Sequence, residues 1–138
     1  MNVTNTYITL HDLDRLESLI ATARRTHAID RDYLDKLEDS MLAKISIDSR
    51  RIPADVLTMN SRARLSGPSQ GLSYEYTLVF PASANVEMGM ISVLAPLGRA
   101  MLGANVGQTI EWTAGGHIKR LRVDEILYQP EAAGEFHL

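Results

Sequence analysis

The sequence predicts an α+β fold: a short N-terminal antiparallel helical hairpin over residues 1–50, then an antiparallel β domain with one short helix over residues 51–138. Three observations predict it. All nine Gly and all five Pro lie beyond Arg51, and a segment free of such punctuation suits helices while a rich one suits strands and turns. Leu13, Leu16, Ile20 and Ala23, and then Leu34, Leu37, Met41 and Ile45, recur at steps of three and four, which is a helical seam. Leu72, Tyr74, Tyr76, Leu78 and Phe80 alternate with Ser73, Glu75, Thr77 and Val79, which is the period of a strand.

Taken in order, Tyr7-Ile8 is an extended lead-in, and Thr9 with Asp12 stands at the spacing of a capping box. Arg24-Arg25 suits the negative end of the first helix dipole. The break at Thr26-His27-Ala28-Ile29 precedes a second helix opening near Asp30. Each arm has about 14 residues, or roughly 21 Å, so the hairpin needs packing at its base to be stable, and above that base it is expected to stand out as a short prong. Arg50-Arg51-Ile52-Pro53 is the junction. Asp55–Met59 and Arg62–Leu65 read as a strand pair kinked at Asn60, and Ser66-Gly67-Pro68-Ser69 as a turn. After the alternating strand, which Pro81 ends, Met90–Leu94 is a further short strand. Pro96 opens a helix that Gly103 stops. Thr109–Trp112 and Ile118–Leu127 form a hairpin around Ala114-Gly115-Gly116. The segment after Pro130 reads as extended.

Composition narrows the function. The 138 residues are 45% hydrophobic and 22% charged, within the globular range. No Cys is present, which removes disulfides, thiolate metal sites and thiol nucleophiles. A net charge of -3, from 14 basic and 17 acidic residues, argues against a basic field that grips nucleic acid directly. No apolar run approaches the ~18 residues that would span a bilayer, and residues 1–6 carry no signal-peptide pattern. The expectation is a soluble, cytoplasmic monomer without membrane contact.

Catalytic motifs are missing. His11, His27, His117 and His137 have no metal-ligand spacing, and there is no GxSxG, P-loop or GxGxxG, so no resident metal, no cofactor and no catalytic residue is expected. Asp30 and Asp32 flank Arg31 at the hairpin tip. Two carboxylates there could hold a divalent cation, but Asp30 is a favoured N-cap and Asp32 suits a first helical turn; capping outweighs ligation. Arg62 with Arg64, and Lys119 with Arg120 and Arg122, are either modest basic patches or solvated strand faces. Met88, Met90 and Met101 read as core filler, and Trp112 as a core or pocket aromatic.

Ile91-Ser92-Val93-Leu94-Ala95-Pro96-Leu97-Gly98-Arg99-Ala100-Met101-Leu102-Gly103 is similar to the C-terminal-domain signature of the Gre transcript-cleavage factors, the GreA/GreB family. Val56–Arg62 and Tyr128–Glu135 resemble the Rnk branch of that family. The resemblance implies an N-terminal coiled coil joined to a domain of FKBP-like fold, and a protein that binds RNA polymerase, meeting nucleic acid only indirectly. It implies that the β domain docks on the rim of the secondary channel while the coiled coil enters it. The turn Ala95, Pro96, Leu97, Gly98 and Arg99 is then the docking element, and Asp30, Arg31 and Asp32 form the tip. The arms are about half as long as Gre arms, which implies a non-enzymatic regulator that competes with Gre factors without stimulating cleavage. Two alternatives stand beside it: an active cleavage factor working through Asp30 and Asp32, and a peptidyl-prolyl isomerase using Tyr74, Tyr76, Phe80 and Trp112.

Overall fold

The computed structural model describes residues 6–67 and 71–138. Residues 1–5 and the Pro68-Ser69 half of the turn expected at Ser66-Gly67-Pro68-Ser69 lie outside them. Strand β1 (Tyr7–Thr9) runs into helix α1 (Leu10–Thr26), and helix α2 (Arg31–Leu42) returns to strand β2 (Ile45–Ile47). β1 and β2 pair in parallel, closing the root of the hairpin. Thr9 caps α1 as expected, its Oγ1 accepting the Asp12 N–H at 3.0 Å. α1 ends at His27 in the left-handed region, with φ 53°.

The helical seam is apolar where the spacing placed it: Leu16, Ile20 and Ala23 on α1, and Leu34, Leu37 and Met41 on α2, are buried. Ile45 departs from the expectation. α2 stops at Leu42, and Ile45 sits on β2, 49% exposed. Across the seam the Arg24 guanidinium donates to Asp35 and Glu38 at 2.9 and 3.3 Å.

A five-stranded sheet follows, in the order β5-β4-β3-β7-β6, from β3 (Arg62–Ser66), β4 (Ser73–Val79), β5 (Met90–Ser92), β6 (Thr109–Ala114) and β7 (His117–Tyr128). It is mixed, which corrects the expected antiparallel sheet: β4 and β5 pair in parallel. They are joined by two 3-10 turns, at Pro81–Ser83 and Val86–Met88, that carry the chain back to start β5 in the same direction. Register shifts along β3 against β7 bend the sheet. Gly115 and Gly116 both have positive φ, as a two-residue hairpin turn between β6 and β7 requires. Helix α3 (Pro96–Met101) lies on the concave side, with Pro96 in its first turn. Ala63, Leu65, Leu78, Ile91, Ile110, Leu121 and Val123 face inward.

Three further expectations need correction. Residues 55–59 form no ladder strand, only an isolated bridge from Val56 to Asn105, yet Val56, Leu57, Thr58 and Met59 are buried. Met88 is 74% exposed instead of filling the core. The segment after β7 is folded into turns and carries buried Gln129 and Glu131.

The hairpin does not stand clear of the sheet. Leu16 and Leu37 have no exposure, and the seam belongs to the same apolar cluster as Leu57, Met59, Leu65 and Val123. The hairpin root is held against the buried 55–59 segment, where the Met59 N–H donates to Asp12 and Leu57 and Met59 join the seam's apolar cluster.

Candidate functional site

α2 and α3 bring the two groups of candidate residues to one open cleft of about 600 Å³. Asp30, Asp32, Tyr33 and Lys36 line it from the helical side; Pro96, Arg99 and Ala100 from α3; Glu111, Trp112 and Thr113 from β6. The start of α2 thus faces α3 and β6 across the cleft.

Each acid on the helical bank already has a structural duty. Asp30 Oδ1 accepts the Asp32 N–H at 3.3 Å, the N-cap bond of α2. Asp32 Oδ2 lies 3.1 Å from Lys36 Nζ, four residues on along the helix. Arg31 points elsewhere: it lines a smaller pocket with Arg24, His27, Ile29 and Leu34, and is 87% exposed. On the sheet bank Glu111 Oε2 accepts from Arg120 at 2.8 Å. Such exposed pairs contribute about 0–1 kcal/mol each, so their role is to set the charge pattern of the rim. Among the described residues, no group of three or more His, Cys, Asp or Glu could hold a metal ion.

α3 is placed by Gly98. A Cβ there would come 1.9 Å from the Ser92 carbonyl oxygen and 2.7 Å from its carbon. Only a residue without a side chain lets the helix lie this close to the strand that precedes it. Arg99 Nη1 donates to the Leu94 carbonyl at 3.2 Å, which holds the guanidinium over the start of the helix. Ala95 and Leu97 pack against the core cluster. Of the five turn residues, Pro96 and Arg99 therefore face the cleft, while Ala95, Leu97 and Gly98 seat it. Tyr33, Lys36 and Glu111 were not among the expected site residues; Lys36, four residues beyond Asp32, was the one with a sequence signal.

The cleft has an apolar floor in Trp112, Pro96 and Ala100, an exposed Tyr33 at 43%, and a rim of both signs. Nothing in it is arranged as nucleophile and base. An apolar floor inside a rim of both signs is a composition that protein recognition surfaces use.

A second polar feature holds the hairpin at its root. Asp12 has no exposure. Its Oδ2 accepts the Met59 N–H at 3.0 Å and its Oδ1 accepts from Arg15 Nη2 at 2.7 Å. Burial pushes its pKa up, opposed by the Met59 bond and by Arg15. Asp12 thus does more than the capping-box spacing implied: it fastens α1 to the buried 55–59 segment.

The chain is similar in sequence and fold to known proteins. The family described as "Transcription elongation factor, GreA/GreB, C-term" matches residues 52–128. The chain is 46% identical over 88 residues to the "Regulator of nucleoside diphosphate kinase" of Escherichia coli strain K12, a match covering 63% of this chain and 65% of the relative. It is 30% identical over 91 residues to the "Transcription elongation factor GreA" of Flavobacterium johnsoniae, covering 66% of this chain and 58% of that protein. The chain thus spans less than two thirds of the length of these curated relatives. The solved structure of a "Prokaryotic transcription elongation factor GreA/GreB from Nitrosomonas europaea" superposes with a TM-score of 0.74 at 34% identity, covering 91% of this chain and all of that one.

Proposed function

Since the chain belongs to the GreA/GreB transcription elongation factor family, we propose that it regulates transcription by binding RNA polymerase at the secondary channel, where it competes with longer Gre factors and does not itself stimulate transcript cleavage. One observation carries this reading: the hairpin tip and the α3 turn line one cleft, so a partner element seated against Pro96 and Arg99 also meets Tyr33 and Lys36. The tip is then a part of the docking surface. Asp30 and Asp32 are occupied by the cap and the Lys36 pair, and α1 and α2, at 17 and 12 residues, span only about 25 and 18 Å. A carboxylate has to come within about 2.0–2.6 Å of a divalent cation to ligate it, which supports action by occupancy instead of chemistry. The domain division at residue 50, the FKBP-like description of the sheet with α3 and the monomeric state belong to the same proposal.

The test is binding to core RNA polymerase by bio-layer interferometry, alone and with excess GreA. Saturable binding that GreA displaces is expected. Arg99→Glu weakens it at least tenfold, an effect of about 1.4 kcal/mol. Binding indifferent to GreA, or release of short 3′ RNA from stalled complexes by the unaltered protein, overturns the reading.

A further inference from the structure

The segment after β7 makes contacts that neither its composition nor the family match, which ends at residue 128, accounts for. Gln129 is 4% exposed, and its Nε2 donates to the Pro53 and Val56 carbonyls at 2.9 and 2.8 Å. Glu131, 8% exposed, accepts the Thr58 hydroxyl at 2.7 Å. These bonds tie the segment to the same buried stretch that Asp12 grips from the other side. It then reaches the helical hairpin itself. Arg15 Nη2, already bonded to Asp12, also donates to the Leu138 carbonyl at 2.9 Å. The Phe136 ring lies 5.9 Å from the Arg50 guanidinium, at the turn where the hairpin leaves for the sheet. Arg15 stacks over Phe80 at 4.8 Å, a third anchor at the end of β4. Between these points the segment is braced by its own bonds, Ala133 N to Gln129 O at 3.0 Å and Leu138 N to Glu135 O at 3.1 Å.

We infer that residues 129–138 are a strap that fixes the angle of the helical hairpin on the sheet, and with it the width of the cleft between tip and α3, Arg15 being the positioning residue at which strap, helix and sheet meet. The geometry suits this task. The strap's contacts fall at the hairpin root, so a small rotation there is multiplied along the length of α1 into a larger displacement of Asp30 and Tyr33. A planar guanidinium that serves a carboxylate and a carbonyl at once, with an aromatic face behind it, resists such rotation in more than one direction. The consequence for partner binding rests on the polymerase reading; the strap itself does not.

The experiment measures the cleft directly. The chain has no Cys, so Arg25→Cys and Lys119→Cys introduce the only two spin-label sites, one near the tip and one on β7, both exposed. Double electron–electron resonance on the full chain is expected to give one narrow distance. Arg15→Gln and Phe136→Ala are each expected to broaden it and lengthen its mean by several ångströms, and Phe136→Tyr, which keeps the ring under Arg50, to restore it. Phe136 is 39% exposed, so its removal leaves the core intact and decides the matter even if Arg15→Gln does not fold. A folded Phe136→Ala protein with the parent's distribution overturns the strap. In parallel, polymerase affinity is expected to drop at least threefold wherever the distance widens. Widening with unchanged affinity overturns the functional consequence alone, and absence of binding by the parent overturns the polymerase reading while the distances still decide the strap.

Discussion

Replacing Gly98 with alanine tests whether α3 is seated by backbone contact. In an ordinary exposed helix this change stabilises by about 1 kcal/mol, because alanine is the better helix former. Here the added carbon would sit 1.9 Å from the Ser92 oxygen, 2.7 Å from its carbonyl carbon and 3.0 Å from the Val93 Cα. Ordinary contact begins near 3.4 Å, so about 1.5 Å must be recovered, and every obstructing atom is backbone. A flexible side chain could swing aside; the Ser92–Val93 backbone cannot, since the Val93 N–H bonds Val79 O at 2.9 Å and the Ala95 N–H bonds Ser92 O at 3.0 Å. Overpacking against a fixed wall costs about 1–3 kcal/mol, and the backbone origin puts this case at the upper end. A loss of about 3 kcal/mol corresponds to a fall in Tm of roughly 10 °C in a chain of this size. Thermal melts followed by far-ultraviolet circular dichroism measure it, with Gly67→Ala as the control: among the described residues nothing lies within 4 Å of its added carbon, and its Tm should stay within about 2 °C. A Gly98→Ala protein that melts with the parent, or above it, refutes the claim that this glycine sets the height of α3 over the sheet.

Asp12→Ala strips the Met59 N–H of its acceptor and Arg15 of its carboxylate; urea denaturation should report a loss of about 2–3 kcal/mol, since both orphaned donors sit at or near the core. Lys44 is held down to about 8 by burial. The folded protein therefore binds fewer protons than the unfolded chain between pH 8 and 10.5, so stability rises with pH across that window, and Lys44→Met should flatten the rise in melts taken at several pH values. Burial pushes Asp12 and Glu131 up, and Asp12 pushes Glu131 further; the folded state then holds protons more tightly just above the ordinary carboxylate range, and these two groups make stability fall as pH climbs through it. Asp30→Ala removes the α2 cap and should cost about 1 kcal/mol in chemical denaturation, with no change in Mn²⁺ titrated calorimetrically into the protein; measurable Mn²⁺ affinity lost on substitution contradicts the capping assignment.

How much of this was legible in the sequence follows from where each signal resides. The hairpin was readable because its information is local: a cap at Thr9, a cap at Asp30 and one apolar stripe per helix, each within a few residues of what it determines. The alternation at Leu72–Phe80 marked β4 and said nothing of which half is buried, which is its second half. β5 pairs only with Thr77, Leu78 and Val79, so the preceding residues have β3 alone beside them, and the exposed Tyr74 stacks on the partly buried Tyr76 at 5.6 Å. Residues 55–59 looked like a strand because they are apolar and β-branched in part. Their backbone bonds go elsewhere: Leu57 N to Ala104 O, Gly103 N to Leu57 O, Thr58 N to Ser61 Oγ, and Met59 N to Asp12. A buried segment must satisfy these groups somewhere, but a partner such as Asp12, 47 residues from Met59, leaves no local trace.

The cleft was half legible for the same reason. Its two banks were each marked, one by acids at a helical turn and one by Pro96 and Arg99 in a recognisable run, but nothing local says that they face each other. That juxtaposition is decided at the far end of α1, where Asp12, a residue whose spacing spoke only of capping, spends its carboxylate on Met59. Leu16 and Leu37 are fully buried in the cluster that the hairpin shares with the sheet, so a hairpin swung clear of the β domain gives up apolar burial. At about 1.5–3 kcal/mol for each such side chain returned to water, an open prong would have to recover several kcal/mol from its partner before it bound at all. The form with the tip beside α3 is therefore the one that the proposed polymerase contact would meet.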